Sequence, residues 1–277
     1  MVSIVIPSRN NEERIGRTLA AIFAQNRRDF EVISCDDNSN DRTPVILDGY
    51  PEVRQLHMPP GRHFPGELLN RAIPECRGEI IVINHAGSCP LDADYLDNLV
   101  KPLEENPGIQ ATFARQEACC DAPFALRSAI ARRFARQNPG FSLAGAAVRR
   151  KRALALPFDT TLPLAFSLEW AKRLEAAGGT IAYAPEARLE RSPEPGWTNL
   201  WSFCRLLGFS RARATGESSG FLAFLRKFAV ETRADLQLAR AWRSPGALPG
   251  ILLWRTIEYY AYFRGERAAQ AKGNISC

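Results

Sequence analysis

The chain is poor in the features that mark several large function classes. No Gly-x-Gly-x-x-Gly turn follows its first apolar run, which argues against a dinucleotide-dependent oxidoreductase, and no phosphate-loop motif points to a nucleoside triphosphatase. Histidine is scarce: His57, His63 and His85 are the whole set, without ligand spacing. The seven cysteines are odd in number and scattered, with no Cys-x-x-Cys. That excludes a paired disulfide or zinc framework and predicts free thiols in a reducing, cytoplasmic setting. No apolar run reaches bilayer length; Ala247 to Trp254 is among the longest and is interrupted by Pro249 and Gly250. No leader is expected either, because Val2 already opens a strand. Basic blocks interleaved with aromatics are missing, so no nucleic-acid partner is expected.

What remains is the composition of an ordinary globular protein, 45% apolar and 24% charged, with a mild net charge of +6. Two segments near the N-terminus carry the most information. Val2-Ser-Ile-Val-Ile-Pro-Ser-Arg-Asn-Asn-Glu-Glu13 and Phe30-Glu-Val-Ile-Ser-Cys-Asp-Asp-Asn-Ser-Asn-Asp-Arg-Thr43 each run from β-branched residues into small polar and acidic ones. Between them, Glu13 to Gln25 has helical spacing, with Ile15, Leu19, Ile22 and Phe23 on one face. Strand, helix and strand in this order form a parallel crossover, which gathers the polar residues at the carboxyl edge of a sheet, where such folds bind ligands. Asp36 and Asp37 are placed there to accept hydrogen bonds from a ribose or base.

Further along, the pattern predicts a helix over Glu67 to Cys76, a strand over Glu79 to Asn84, and a helix over Asp92 to Glu105. A strand at Gln110 to Ala114 and a basic helix at Ala125 to Gln137 follow. Small-residue loop and strand are expected over Phe141 to Val148, a helix over Ser167 to Ala177 and a strand from Thr180 to Pro185. Beyond Ser192 the chain turns aromatic and arginine-rich, with helical segments at Trp197 to Ala214, Gly220 to Trp242 and Ile251 to Phe263. The expected organisation is an α/β domain over 1–195, with a nucleotide-binding half at 1–105 and an acceptor half at 106–195. A helical C-terminal extension covers 196–277.

The two N-terminal segments, with Phe64-x-Gly66…Asn70, Gly78-Glu-Ile-Ile-Val-Ile83, Arg115-Gln116, Phe158-Asp159, Glu169-Trp-Ala-Lys-Arg173 and Ile181-Ala-Tyr-Ala-Pro-Glu-Ala187, resemble the family 2 glycosyltransferases. The matches are collinear over most of residues 2–192, and the pattern is most similar to the branch containing rhamnosyltransferases and polysaccharide-assembly enzymes. The resemblance implies the GT-A fold, a mostly parallel central sheet flanked by helices. It implies a nucleotide-diphosphate sugar as donor, UDP- or dTDP-linked, and a glycan or lipid-linked acceptor. It also implies a nucleoside pocket lined by Pro7, Ser8 and Asn10, with Asp37 on the base and Asp36 beside it; Arg9, Asn84, His85 and Arg115 complete the expected nucleotide-sugar site.

Sugar transfer from a nucleotide diphosphate requires a cation against the leaving phosphate and a base for the acceptor hydroxyl. The family usually supplies Mg²⁺ or Mn²⁺ through an Asp-x-Asp-like element after the third strand, and a base from an acidic pair before the tryptophan helix. Here Asn84-His85-Ala86-Gly87 follows that strand. Asp92-Ala-Asp94 comes later, at the start of a helix, where it reads as a helix-terminus feature. Phe166 and Ser167 stand at the acidic pair, leaving Glu169 as the nearest carboxylate, turned about 200° away by two helical steps. Arg191 stands where the family often has a histidine. No metal is therefore expected. Arginines (Arg9, Arg115 or the cluster Arg149 to Arg152) would neutralise the diphosphate, and a catalytically inactive nucleotide-sugar-binding or partner protein is the alternative. The aromatic C-terminal helices would either pack on the α/β domain or rest on the inner face of a membrane.

Overall fold

The computed structural model describes residues 1–273, in which the chain divides into two compact units. The first comprises residues 1–117, 138–162 and 166–191, and holds an eight-stranded sheet with helices. Its elements are β1 (Val2–Ser8), α1 (Ile15–Phe23), β2 (Phe30–Asp36), α2 (Thr43–Asp48), β3 (Val53–His57), α3 (Pro65–Glu75), β4 (Ile80–Ile83), β5 (Cys89–Pro90), α4 (Tyr95–Glu105) and β6 (Ile109–Ala118). After α5 (Phe124–Phe134), which belongs to the second unit, come β7 (Ala146–Arg149), α6 (Arg150–Ala155), α7 (Phe166–Ala176) and β8 (Thr180–Arg191).

The strand order is β3-β2-β1-β4-β7-β6-β8-β5. The pairs β3–β2, β2–β1 and β1–β4 are parallel, and these strands are linked by helical crossovers. β7 runs antiparallel to both β4 and β6, and β5 antiparallel to β8. β4 is apolar along its length and β1 over Ile4–Ile6, since these segments are buried on both faces; Ser3 and Ser8, also buried, are hydrogen-bonded. α1 buries Ile15, Leu19 and Ile22, the stripe seen in its spacing, in a core shared with Val2, Ile4, Ile6, Val82 and Leu99.

Register determines what reaches the sheet edge. Ser8 pairs with Asp36, so β1 and β2 end together, whereas β4 stops at Ile83, level with Val5. The chain after β4 then turns across that edge, anchored by Asn84 N donating to Val5 O. Gly145, at φ +75°, precedes β7; it donates to Ile83 O and accepts from Ala114 N. A Cβ there would lie 2.4 Å from Leu189 Cδ2 and 2.9 Å from Tyr95 Oη, so both the backbone angle and the space demand glycine.

The second unit comprises residues 118–137, 163–165 and the chain from Ser192. It contains α5, α8 (Leu200–Thr215), α9 (Phe221–Ala241) and α10 (Leu248–Gly273). α5, α9 and α10 meet around a buried ionic network. Asp235, fully buried on α9, accepts from Ser128 Oγ, Arg132 Nη1 and both Arg255 Nε and Nη2. Glu231 pairs with Arg132, and Glu258 accepts from Arg255 Nη1 at 2.6 Å. Each buried charge therefore has a partner, as burial requires.

Candidate functional site

The loops after β1 and β2 are joined by reciprocal hydrogen bonds. Asn10 N donates to Ser39 Oγ and Asn40 N to Asn10 Oδ1. Asn11 N donates to Thr43 Oγ1, Glu12 N to Asp41 Oδ2 and Arg42 N to Glu12 Oε2. Asp41 is held below the usual carboxylate range: burial raises it, but hydrogen bonds from the Thr43 side chain and from backbone amides together outweigh that cost. Much of the polar composition of the two N-terminal segments thus satisfies backbone amides that a tight loop leaves exposed. Asn10 and Asn38 take left-handed φ of +51° and +53°, a conformation asparagine tolerates better than most residues.

The two aspartates have different duties. Asp36 accepts from Ser8 Oγ (2.8 Å), Ser39 N (2.8 Å) and Ser39 Oγ (2.6 Å), so its carboxylate ties the ends of β1 and β2 to the loop. Asp37, 3% exposed, receives Arg9 Nη1 on Oδ2 and the His63 backbone amide and Nδ1 on Oδ1, the latter at 2.8 Å. His63 comes from the loop between β3 and α3, which Asn38 also holds by donating to Pro59 O and Gly61 O. A carboxylate offers about four acceptor positions. Three of Asp37's are in use, leaving one, while Arg9 remains 41% exposed beside it.

The turn after β4 is built from Asn84 outward. Asn84 is fully buried; its Oδ1 accepts from Tyr95 OH and its Nδ2 donates to Ser88 O at 2.7 Å. His85, next in the chain, is pushed down to about 4 by burial and, secondarily, by the charge of Arg191, so it is neutral at neutral pH. The antiparallel pair Cys89–Glu190 brings Arg191 to the level of Ser88, in the same turn. Arg115 lies two residues beyond Phe113, whose partner Ala146 pairs in turn with Ile83. It is exposed at this same edge, its Nε 3.8 Å from Glu117. Next to it, buried Gln116 donates to Ser142 Oγ and Ala144 O, while its Oε1 is buried without a protein partner.

The strand ends β2, β1, β4, β7 and β6 therefore line up Asp36 and Asp37, Pro7 to Asn10, Asn84 and His85, Gly145 and Arg115 along one edge. At the usual strand spacing this row is roughly 19 Å long. The cluster Arg149 to Arg152 does not join it. Arg149 pairs with Ile80 at the opposite edge, where its guanidinium donates to Ile109 O, Leu103 O and Asn106 O. Glu169 is bound through both carboxylate oxygens by Arg173, which also donates to Pro157 O. Phe166 is buried against Phe158 rather than lining a polar site. Asp92 is held by a two-pronged pair from Arg188 at 2.9 and 2.7 Å, and Asp94 accepts from Asn26, which fits a structural role for Asp92-Ala-Asp94.

The sequence offered no signal for His63, since loop closure alone brings it to Asp37. Arg191 was visible only as a departure from the family pattern. The Gly66…Asn70 element has a packing explanation. A Cβ on Gly66 would lie 2.4 Å from Asp159 O, and the Asn70 carboxamide makes two bonds to the Phe158 backbone, clamping that segment to α3.

Comparison with solved structures recovers the same architecture. The mannosyltransferase PcManGT from Pyrobaculum calidifontis, solved with GDP-Man and Mn²⁺, aligns over 99% of this chain and 87% of its own with a TM-score of 0.63 at 21% identity. Glucosyl-3-phosphoglycerate synthase from Mycobacterium tuberculosis, solved with Mn²⁺, UDP-glucose and phosphoglyceric acid, aligns over 79% of this chain and 81% of its own, with a TM-score of 0.60 at 18% identity. TarS residues 1–349 from S. aureus, in complex with UDP, aligns over 98% and 91%, with a TM-score of 0.55 at 15% identity. No curated protein sequence matches the chain. At these identities the likeness establishes the fold, the GT-A architecture. The family model for glycosyl transferase family 2 matches residues 3–152, more than half of the chain and all of the β1, β2 and β4 strand ends; the chain belongs to that family.

Proposed function

We propose that the chain is a glycosyltransferase that takes a nucleotide-diphosphate sugar, UDP- or dTDP-linked, and passes the sugar to a glycan or lipid-linked acceptor. The observation that carries this reading is Asp37: a nearly buried carboxylate at the end of β2, fixed by Arg9 and His63 with one acceptor position left. A base N–H fits that position, with Pro7 alongside. Ser8, Asn10, Asp36 and Asn84 act as positioning residues, since their side-chain bonds are made within the loops and turns. His85 and Arg115 face the phosphate and sugar end of the row. The motif pattern favours the rhamnosyltransferase and polysaccharide-assembly branch, a cytoplasmic location and peripheral contact with a membrane.

Solved relatives in this fold hold Mn²⁺ or Mg²⁺. The residues here do not fit such an ion. Hard divalent cations favour carboxylate oxygens, and the turn after β4 offers Asn84, already engaged, a single imidazole, and Ala86 and Gly87 with no side-chain ligand atom, the Ala86 carbonyl being taken by Thr18. Among the described residues there is no group of three or more His, Cys, Asp or Glu side chains that could hold a metal. Arg191 already places positive charge at this turn, and a guanidinium binds phosphate oxygens in a two-pronged way. The proposal is therefore a metal-independent site in which Arg191, Arg9 and Arg115 offset the charge of the diphosphate.

Calorimetric titration with UDP-, dTDP- and GDP-sugars, in chelator and in Mn²⁺, tests this. Binding in chelator that Mn²⁺ leaves unchanged is the expected outcome. Binding that requires Mn²⁺ overturns metal independence, and binding to no nucleotide overturns the whole reading. A second reading, a nucleotide-sugar-binding protein without turnover, is favoured by the engagement of Glu169 with Arg173 and the burial of Phe166. Hydrolysis or transfer in a metal-free assay decides against it.

A further inference from the structure

We propose that the outward face of α9, with the arginine groove at its C-terminal end, is a binding surface for an anionic phospholipid membrane. The 21 residues of α9 make a helix about 31 Å long. At 100° per residue, Leu222, Leu225, Ala229, Val230 and Leu236 share one face with Arg226, Arg233 and Arg240, and all eight are exposed, Leu222 to 80%. The helix's two acids are on the other side: Glu231 is paired with Arg132, and Asp235 lies in the buried network with Arg255. Folding has thus sorted the charges, leaving the outer face of α9 cationic and apolar with no carboxylate.

Beside the end of α9, a groove of about 610 Å³ is lined by Arg233, Arg240 and Arg243 over Leu236, Pro245 and Leu248, again without an acid. Among the described residues none of these three arginines has an acidic partner. Three guanidinium groups suit phosphodiester anions, and a floor of Leu236, Pro245 and Leu248 suits acyl chains and offers no aromatic face for base stacking. No described helix is long and apolar enough to cross a bilayer, so α9 would lie on the surface with its leucines in the headgroup region. This inference deepens the peripheral reading above and does not depend on the nucleotide site.

Flotation of the full chain with vesicles tests it, using phosphatidylcholine alone and an equal mixture with phosphatidylglycerol. Partition onto the anionic vesicles is expected to exceed that onto the neutral ones by at least about ten-fold, and to weaken with salt. Reversing the charges in R233E/R240E/R243E should abolish the preference, and the neutral set R233Q/R240Q/R243Q should lower it with an unchanged thermal melt. L222E/L225E should weaken the binding that survives high salt. Equal partition onto both vesicles, or unaltered partition of the charge-reversed variant, overturns the proposal. So does an arginine-dependent retention on an oligonucleotide without vesicle binding, which would make this a polyanion site. UDP-sugar titration of the same variants should be unchanged; vesicle binding can fail while nucleotide binding stands, or the reverse.

Discussion

The β1–β2 end of the sheet edge and its β4–β6 end belong to one candidate site, yet the sequence equips them differently. At the first end, almost every polar residue has a partner, and one carboxylate, Asp37, is held in place with an acceptor position to spare. At the second, Ala86 and Gly87 follow Asn84 and His85 with no carboxylate before Asp92, and Arg191 adds positive charge beside His85. Different strand ends carry the two halves of the site, so substitutions at one end can be read separately from those at the other, and the comparison predicts where they will hurt.

The largest effect should come from the backbone junction of β4, β6 and β7 at the second end. Gly145→Ala forces a Cβ into Leu189 and Tyr95 at φ +75° and should destabilise the protein by roughly 3 kcal/mol, read by chemical denaturation. If the variant is as stable as the parent, the tight junction of β4, β6 and β7 is misdescribed. Next, Asp37→Asn keeps the shape and removes the charge that fixes Arg9 and His63. Nucleotide affinity should fall about 10- to 100-fold, in line with roughly 1.5–3 kcal/mol for bonds to a charged group. Unchanged affinity would move the base contact elsewhere.

The second end can be probed by pH. His85 is lowered from 6.5 to about 4, so between these values the unfolded chain binds a proton that the folded one does not. Stability should therefore fall as pH drops from 6.5 toward 4, with a contribution of at most about 1.4 kcal/mol per pH unit, reduced by the side chain's partial exposure. Urea midpoints of the parent and of His85→Gln should converge in acid; parallel curves would show that the imidazole is not held neutral. Ser39→Ala removes a bond to Asp36 and the acceptor of Asn10 N, costing about 1 kcal/mol. The smallest effect should be that of Glu169→Gln: about 0.5 kcal/mol from a helical ion pair, with nucleotide affinity and any transfer rate unchanged. A hundred-fold loss of transfer there would make Glu169 the base after all.

The parallel part of the fold was legible because its strands are continuous apolar runs and its helices have clear stripes, as in β1, β4 and α1. β3 was not, since Val53-Arg-Gln-Leu-His57 is a short edge strand that reads as loop. β5 has only two residues, and β8 runs to Arg191, beyond the stretch its apolar pattern predicts. In the site, Asp36 and Asp37 were recognisable as a pair but not by role. Their division of labour depends on Ser8, Ser39, Arg9 and His63, which three separate loops bring to them. The arginine cluster 149–152 shows the opposite failure: its composition suits phosphate, but register puts Arg149 at the wrong edge of the sheet.

Sequence alone was enough to determine the strand-end chemistry: which polar residues follow β1, β2 and β4, and that carboxylates are missing after β4 and before the tryptophan helix. These are properties of residue identity at the end of an apolar run, and local periodicity suffices to read them. Tertiary structure decided which of those residues have their polar atoms occupied by the fold. Asn84 and Asp36 are occupied by the fold, Asp37 is not fully so, and the acids of α9 are drawn inward to leave its outer face cationic. Asn84 and Ser39 act through near neighbours, but Ser8 reaches Asp36, Arg9 and His63 reach Asp37, and Arg132 and Arg255 reach the acids of α9 only through strand register and helix packing.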